Sequence, residues 1–281
     1  MPADTPRRPT ARAARMLLAV GLPFVLANVL TKQFLDDPAL RDLRNLLKAV
    51  MLVGAYWVAV RWIERRPVSE LSCRGAGRET LAGLLLGSLL FALTMAVLAT
   101  LGVYRIDGHG DLAAVSDVAA AMLPKIAAGA LIEEVLFRLL GLRLLETSLG
   151  TWLALLVSSA LFGAAHGSNV GATPGIAVML GLEAGLLFGA AYLLTRRLWL
   201  CAALHLAWNF TQGAIFSVAV SGQQADGWLQ GRLDGPVWLT GGAFGAEGSV
   251  IAFVLCLAAA ALLLRWAVHR RPFVAPRWRT A

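Results

Sequence analysis

The chain has 281 residues, of which 58% are hydrophobic and 15% are charged, and its mean hydropathy is +0.68. These values exclude an ordinary soluble domain, in which about half of the residues are apolar and about a quarter are charged. The formal net charge of +8 does not indicate a nucleic-acid partner, because the basic residues are dispersed at the ends of apolar segments. We therefore expect one membrane domain over residues 1–281, surrounded by membrane lipids.

Hydropathy predicts an all-α, polytopic membrane bundle of about eight transmembrane helices. About 20 apolar residues are needed to cross a hydrocarbon core that is ~30 Å thick. The sequence motifs described below fall in a core of about residues 118–220. The predicted helices, in chain order, are 16–30, 46–60, 81–103, 118–145, 151–166, 175–194, 198–220 and 249–264.

The basic residues predict how these helices are oriented. Every second loop is basic, and basic residues collect in short cytoplasmic loops. Both termini are therefore expected on the cytoplasmic side, and the expected location is the bacterial inner (plasma) membrane. The residues that support this orientation are Arg7, Arg8, Arg12, Arg15, Arg61, Arg65, Arg66, Arg74, Arg78, Arg143, Arg196, Arg197, Arg265, Arg270, Arg271, Arg277 and Arg279.

Two adjacent glutamates, Glu133 and Glu134, lie within the fourth predicted helix. An ionisable group near the bilayer centre costs about 2.5–3.5 kcal/mol on insertion scales, so such groups face the bundle interior and either pair or do chemistry. Arg138 lies four residues after Glu134, on the same helix face, and is expected to pair with it. Glu133 lies about 100° around the axis and is a candidate general base. Alternatively, both glutamates bridge neighbouring helices as structural groups.

Two histidines fall within the predicted helices, in the patterns FxxxH and HxxxN. Glu133 lies 17 residues before Gly150 and His166 lies 16 residues after it, so the two side chains return to a similar depth if the chain turns at Gly150. His205 and Asn209 are four residues apart and share a helix face. We therefore expect Glu133, His166, His205 and Asn209 to form one site, in which Asn209 is the natural donor to an oxyanion.

The combination EExxxR, FxxxH and HxxxN resembles the CAAX-protease and bacteriocin-processing family of intramembrane proteases, over about residues 125–212. The resemblance implies an intramembrane endopeptidase that acts on a lipidated or membrane-inserted substrate. Glu133 would activate the water, Glu134 and Arg138 would hold the site in shape, and His166 and His205 would complete it.

The resemblance leaves a metal cofactor open. Glu133, His166 and His205 match a catalytic ligand set for zinc or another divalent metal, and the family is often described as metalloproteases. The stronger zinc motif HExxH is absent from the sequence, and the same residues can activate a water directly.

Two other classes of function remain as alternatives. The first is a non-catalytic immunity or scaffold membrane protein with the same fold, which would act by binding. The second is an ion-coupled transporter, which would use Glu133, Glu183 and the histidines as a proton path. That class is expected to carry inverted repeats, and the two halves of the sequence show none.

Glu183 and the long segment 221–248 are the remaining polar features. We expect Glu183 to pair with Lys125 or Arg138 of the fourth predicted helix, and the alternative is that Glu183 lies in the substrate cavity. The glycine-rich segment 221–248 carries Trp228 and Trp238 and is expected to lie on the membrane surface and cover the bundle.

Overall fold

The protein is a bundle of helices with one two-stranded sheet. The computed structural model describes residues 9–34, 37 and 40–279, so the predicted basic residues Arg7 and Arg8 lie outside the described part of the chain. The helices are α1 (Pro9–Phe34), α2 (Arg41–Ala59), α3 (Ala76–Thr100), α4 (Leu112–Glu134), α5 (Arg143–Ala165), α6 (Pro174–Leu180), α7 (Leu186–Thr195), α8 (Leu198–Phe210), α9 (Val237–Thr240) and α10 (Val250–Arg270). The strands are β1 (Tyr104–His109) and β2 (Leu229–Leu233). Short 3-10 turns cover Ser69–Leu71, Gly242–Phe244, Ala246–Gly248 and Arg277–Arg279.

Four of the helices continue as π-helical segments. These segments follow α2, α4, α6 and α8, and the third of them joins α6 to α7 as one rod. A π turn widens the helix and releases backbone carbonyls from the α-helical hydrogen-bond ladder, and such turns are frequent at functional sites. The segments are Val60–Glu64, Val135–Leu142, Gly181–Gly185 and Thr211–Ile215.

The predicted helical membrane bundle is confirmed. In the described residues, six helices are long and apolar enough to cross a membrane, namely 11–34, 41–64, 76–100, 115–165, 174–195 and 250–270. The predicted number of eight is not confirmed. The longest helix contains Gly150, whose φ of 73° breaks the helical path between the predicted fourth and fifth segments. The predicted seventh segment, 198–220, becomes α8 and a π turn that ends at Ile215.

Helices α3 and α8 run side by side in close contact, because glycines of α3 face the backbone of α8. A Cβ atom on Gly83 would lie 2.6 Å from the carbonyl oxygen of Leu200, and one on Gly87 would meet the carbonyl oxygen of Leu204. Small residues at such positions let two membrane helices approach closely. Further along, the rings of Phe91 and Trp208 pack edge to face at 5.0 Å. This packing fixes the height of His205 in the bundle.

The loops predicted to be cytoplasmic come together at one end of the bundle. Arg143 Nη1 lies 2.9 Å from both carboxylate oxygens of Glu64, and Arg196 forms an ion pair with Glu146. The C-terminal tail joins this end, since the N–H of Thr151 donates to the carbonyl of Val274 at 2.9 Å. The structure thus places loops of the same predicted side together, and their assignment to the cytoplasm remains a prediction.

The opposite end carries the sheet and the long segment 221–248. Strands β1 and β2 pair antiparallel, with Tyr104 opposite Leu233 and an irregularity between Ile106 and Gly108. The Trp228 indole N–H donates to the carbonyl of Gly110 at 2.7 Å. Because β2 lies within the segment and β1 precedes α4, this pairing ties the segment to the end of the bundle.

Candidate active site

Four of the predicted site residues, Glu133, His166, His205 and Asn209, line one cavity of about 120 Å³. The cavity is bounded by α4, the end of α5, the rod of α6 and α7, α8 and the segment 221–248. It has room for several water molecules. Its polar lining residues are Lys125, Glu133, His166, Glu183, His205, Asn209, Ser221, Gln223, Gln224 and Glu247.

Glu134 and Arg138 form the ion pair that the i, i+4 spacing predicts. Arg138 Nε lies 3.1 Å from Glu134 Oε2, and both side chains are buried, with exposed fractions of 1% and 0%. Arg138 Nη2 also donates to the carbonyls of Ala184 and Gly185, at 3.3 and 3.2 Å. These carbonyls belong to the π-helical segment between α6 and α7, so Arg138 joins α4 to that rod.

His205 lies between the two glutamates. Its Nδ1 is 2.9 Å from Glu134 Oε1, and its Nε2 is 3.9 Å from Glu133 Oε2. Because Glu134 also forms an ion pair with Arg138, its Oε1 accepts the Nδ1–H of His205, and Nε2 of His205 faces Glu133. The ring stacks on Phe188, with centroids 4.4 Å apart and an interplanar angle of 16°. The orientation of this imidazole is thus fixed on three sides.

His166 approaches Glu133 from the end of α5. Its Nδ1 lies 2.8 Å from the carbonyl oxygen of Phe162, which can only accept, so Nδ1 carries the proton. Its Nε2 lies 3.6 Å from Glu133 Oε2. Both histidines therefore direct Nε2 toward the same oxygen of Glu133. That oxygen is buried and has no hydrogen-bond partner among the described residues.

Glu133, His166 and Asn209 are the partly accessible members of the site. The exposed fraction of the Glu133 side chain is 30%, compared with 0% for Glu134. Asn209 is half-buried and lines the same cavity one helical turn after His205. The structure therefore brings together all six predicted site residues: Glu133, Glu134, Arg138, His166, His205 and Asn209.

The predicted partner of Glu183 is wrong. Neither Lys125 nor Arg138 forms an ion pair with Glu183 among the described residues. Lys125 is exposed, and Arg138 is held by Glu134 and by the carbonyls of α6 and α7. Glu183 instead lines the cavity with an exposed fraction of 1%, and its Oε2 atom accepts no hydrogen bond.

Glu247 is a cavity residue that the sequence did not reveal. It lies in the 3-10 turn Ala246–Gly248, at the end of the segment 221–248, and it accepts hydrogen bonds from the N–H and the Oγ–H of Ser221 at 2.6 and 2.7 Å. Burial raises the pKa of the Glu247 carboxyl, and the bonds from Ser221 oppose that rise. The available signal was a single carboxylate within a long apolar, glycine-rich stretch.

The donor atoms do not, as placed, form a metal-binding geometry. Four ligands at about 2.0–2.1 Å from a tetrahedral zinc ion lie about 3.3 Å from one another. Here the two Nε2 atoms lie 3.6 and 3.9 Å from Glu133 Oε2. In the part of the chain that the structure describes, no three His, Cys, Asp or Glu side chains are grouped as metal ligands. The metal remains a prediction, and no step below passes through one.

The fold and this site define a polytopic membrane protein with a carboxylate–histidine centre inside its helical bundle. A family model described as "Type II CAAX prenyl endopeptidase Rce1-like" matches residues 115–211, about a third of the chain. All six predicted site residues lie within the matched range, whereas Glu247 lies outside it. The predicted family resemblance is thus confirmed, and residues 115–211 are similar to the family of CAAX-type intramembrane proteases. Neither a curated protein nor a solved structure matches the chain.

Proposed function

We propose that the protein is an intramembrane endopeptidase that hydrolyses a peptide bond in a lipidated or membrane-associated substrate, with Glu133 as the base for the attacking water. One observation supports this most. Glu133 Oε2 faces Nε2 of His166 and Nε2 of His205, at 3.6 and 3.9 Å, inside a polar cavity. These separations are too long for direct hydrogen bonds and suit a water that lies between the three groups.

The proposed reaction begins with that water. Its oxygen attacks the carbonyl carbon of the substrate while one of its protons passes to Glu133. The π electrons of the carbonyl move to oxygen, and the Asn209 amide donates a hydrogen bond to the oxyanion. As the carbonyl re-forms, the C–N bond breaks, and the proton on Glu133 passes to the leaving nitrogen. The products are one carboxyl end and one amine end, and Glu133 is again a carboxylate.

Glu134 and Arg138 act on this reaction through His205. Glu134 accepts a hydrogen bond from Nδ1–H of His205 at 2.9 Å, and the ion pair with Arg138 holds Glu134 in place. In this tautomer, Nε2 of His205 accepts a hydrogen bond from the water and helps to orient it. Glu134 and Arg138 are therefore positioning residues in the proposal, and Glu133 is the catalytic base.

The test is cleavage of a quenched library of prenylated and transmembrane peptides by the purified protein in detergent. We expect the wild type to cleave and Glu133→Gln to be inactive, because an amide cannot accept the proton of the water. Asp107→Asn is a control that removes one carboxylate that does not line the cavity, on strand β1, where the side chain is 51% exposed. Its activity should match the wild type.

Two further arms complete the test. A zinc chelator should leave activity unchanged in a metal-free reaction, and loss of activity that zinc restores would support a metalloprotease. If the folded wild type cleaves no peptide, the proposal fails and the binding role of an immunity or scaffold protein is favoured. Activity retained in Glu133→Gln would also contradict it.

A further inference from the structure

Two carboxylates that belong to no sequence motif face the catalytic cavity. Glu183 comes from the π-helical segment between α6 and α7, and Glu247 comes from the turn just before α10. Their exposed fractions are 1% and 3%, yet both line the cavity that holds Glu133. Helical packing alone does not explain them, because an apolar residue of similar size would fill the same space without the cost of burying a polar group.

Neither carboxylate has a cationic partner. In the described part of the chain, no Arg, Lys or His side chain lies within ion-pair distance of Glu183 or Glu247. Glu183 Oε2 is buried and accepts no hydrogen bond, while Glu247 is held by Ser221 alone. Lys125 lines the same cavity, but its side chain is exposed, and it forms no ion pair with either residue among those described.

His166 and His205 line the same cavity, and an electrostatic interaction with each lowers the pKa of Glu247, but neither lies within ion-pair distance of Glu183 or Glu247 among the described residues. The Nδ1–H of His205 donates to Glu134, and that of His166 donates to the Phe162 carbonyl. A buried carboxylate is stable only when it is protonated or when a cation and further hydrogen bonds compensate for its lost hydration. The cavity therefore has acceptors for a positive charge that the described residues do not supply.

We propose that Glu183 and Glu247 form a subsite that binds a positively charged side chain of the substrate, an ammonium or a guanidinium group. The proposal rests on the proposed function, since it treats the cavity as the place where a peptide is cleaved. Because the subsite and Glu133 share one cavity of about 120 Å³, the basic residue lies close to the scissile bond. Ser221 fixes the Glu247 carboxylate, which orients the cationic group of the substrate. Oε2 of Glu183 accepts a hydrogen bond from the same cationic group.

The first experiment measures binding without catalysis. N-butylguanidinium and its neutral isostere N-butylurea are titrated into the purified protein in detergent, and binding is read from tryptophan fluorescence, since Trp208 lines the cavity. A charge-assisted hydrogen bond contributes about 1.5–3 kcal/mol, so the wild type should bind the cation at least about tenfold more tightly. In Glu183→Gln and in Glu247→Gln the preference should fall to about twofold or less.

Glu133→Gln is the matched control, because it removes the other cavity carboxylate. The preference for the cation should survive in Glu133→Gln although cleavage is lost. Equal binding of the two probes by the wild type would overturn the subsite, because it would mean that both carboxylates are neutral. Loss of the preference in Glu133→Gln, with retention in Glu183→Gln, would equally overturn it. Unchanged helicity by circular dichroism confirms that each variant is folded.

The second experiment tests whether the subsite affects cleavage. Two membrane-anchored peptides differ only in arginine or its neutral analogue citrulline next to the scissile bond. We expect kcat/KM of the wild type to be about tenfold higher for the arginine peptide, and Glu183→Gln to cleave both equally. If no peptide is cleaved, the proposed function fails, and the binding experiment still decides the subsite. If both peptides are cleaved equally by the wild type, the subsite is refuted and the proposed function stands.

Discussion

Arg138 gives the sharpest test of the packing that surrounds the site. Replacing it by methionine keeps most of the side-chain volume and removes the guanidinium. The change breaks the ion pair with Glu134 and leaves the carbonyls of Ala184 and Gly185 without their donor. It also removes a cation that lies 4.7 Å from the ring centroid of Phe162.

The expected loss of stability follows from the burial of the ion pair. Both partners of the pair are almost fully buried, with exposed fractions of 1% and 0%. Breaking a buried ion pair by removing one partner costs about 3–5 kcal/mol, because the remaining charge is left without compensation. Arg138→Met should therefore lower the free energy of unfolding by about this amount. Adding Glu134→Gln should restore part of it, since the uncompensated charge is then gone.

The assay is reversible unfolding in mixed detergent micelles, followed by circular dichroism, which does not depend on cleavage. Arg232→Met is the control, because Arg232 pairs with Asp234 at 2.9 Å while both side chains are 56% exposed. Exposed pairs contribute about 0–1 kcal/mol. If Arg138→Met and Arg232→Met differ by less than about 1 kcal/mol, or if the double variant is less stable than Arg138→Met, the reasoning is refuted.

Three other predictions concern the rest of the bundle. Gly87→Ala should lower the free energy of unfolding by about 1–3 kcal/mol, because the new Cβ would meet the backbone of α8. The control Gly77→Ala should not destabilise the protein, because a Cβ at that position would have nothing within 4 Å. Equal stability of the two variants would contradict the packing of α3 against α8. Burial raises the pKa of the Glu70 carboxyl, but hydrogen bonds from Arg66 outweigh this and hold it below its usual value. The stability that Glu70 contributes is thus present above pH ~4.3 and is lost as the pH falls through its folded pKa, so acid titration of unfolding should show a weaker loss in Glu70→Gln. Cys73 is exposed and the other two cysteines are buried, so an impermeant maleimide should label inside-out vesicles only, and labelling of right-side-out vesicles would reverse the predicted orientation.

The motif residues could be predicted from the sequence because their geometry is local. The spacing of Glu134 and Arg138 placed them on one face, and the structure has them 3.1 Å apart. The near-equal distances of Glu133 and His166 from Gly150 predicted their meeting, and they lie 3.6 Å apart. In both cases helical periodicity and one turn position were enough.

The rest of the cavity depends on contacts between distant parts of the chain. Glu247 lines the same cavity as Glu133 only because the segment 221–248 folds back over the bundle, and no periodicity marks such a loop. Strands β1 and β2 are short, and each becomes a strand only by pairing with the other. The partner of Glu183 was predicted from hydropathy alone, which gives the depth of a residue and not its direction around the helix. The π turns also rotate the helix faces beyond what a regular period of 3.6 residues predicts.

The pairing of β1 with β2 has a consequence for the biogenesis of the protein. About 120 residues separate the two strands, and α4 to α8 lie between them. Because a chain emerges from the ribosome from its N-terminus, β2 is synthesised only after all five of those helices, and β1 has no strand to pair with until then. Glu247 comes later still. The cavity is therefore completed among the last steps of synthesis, so a nascent chain carries the motif residues in the membrane well before the cavity around them is complete.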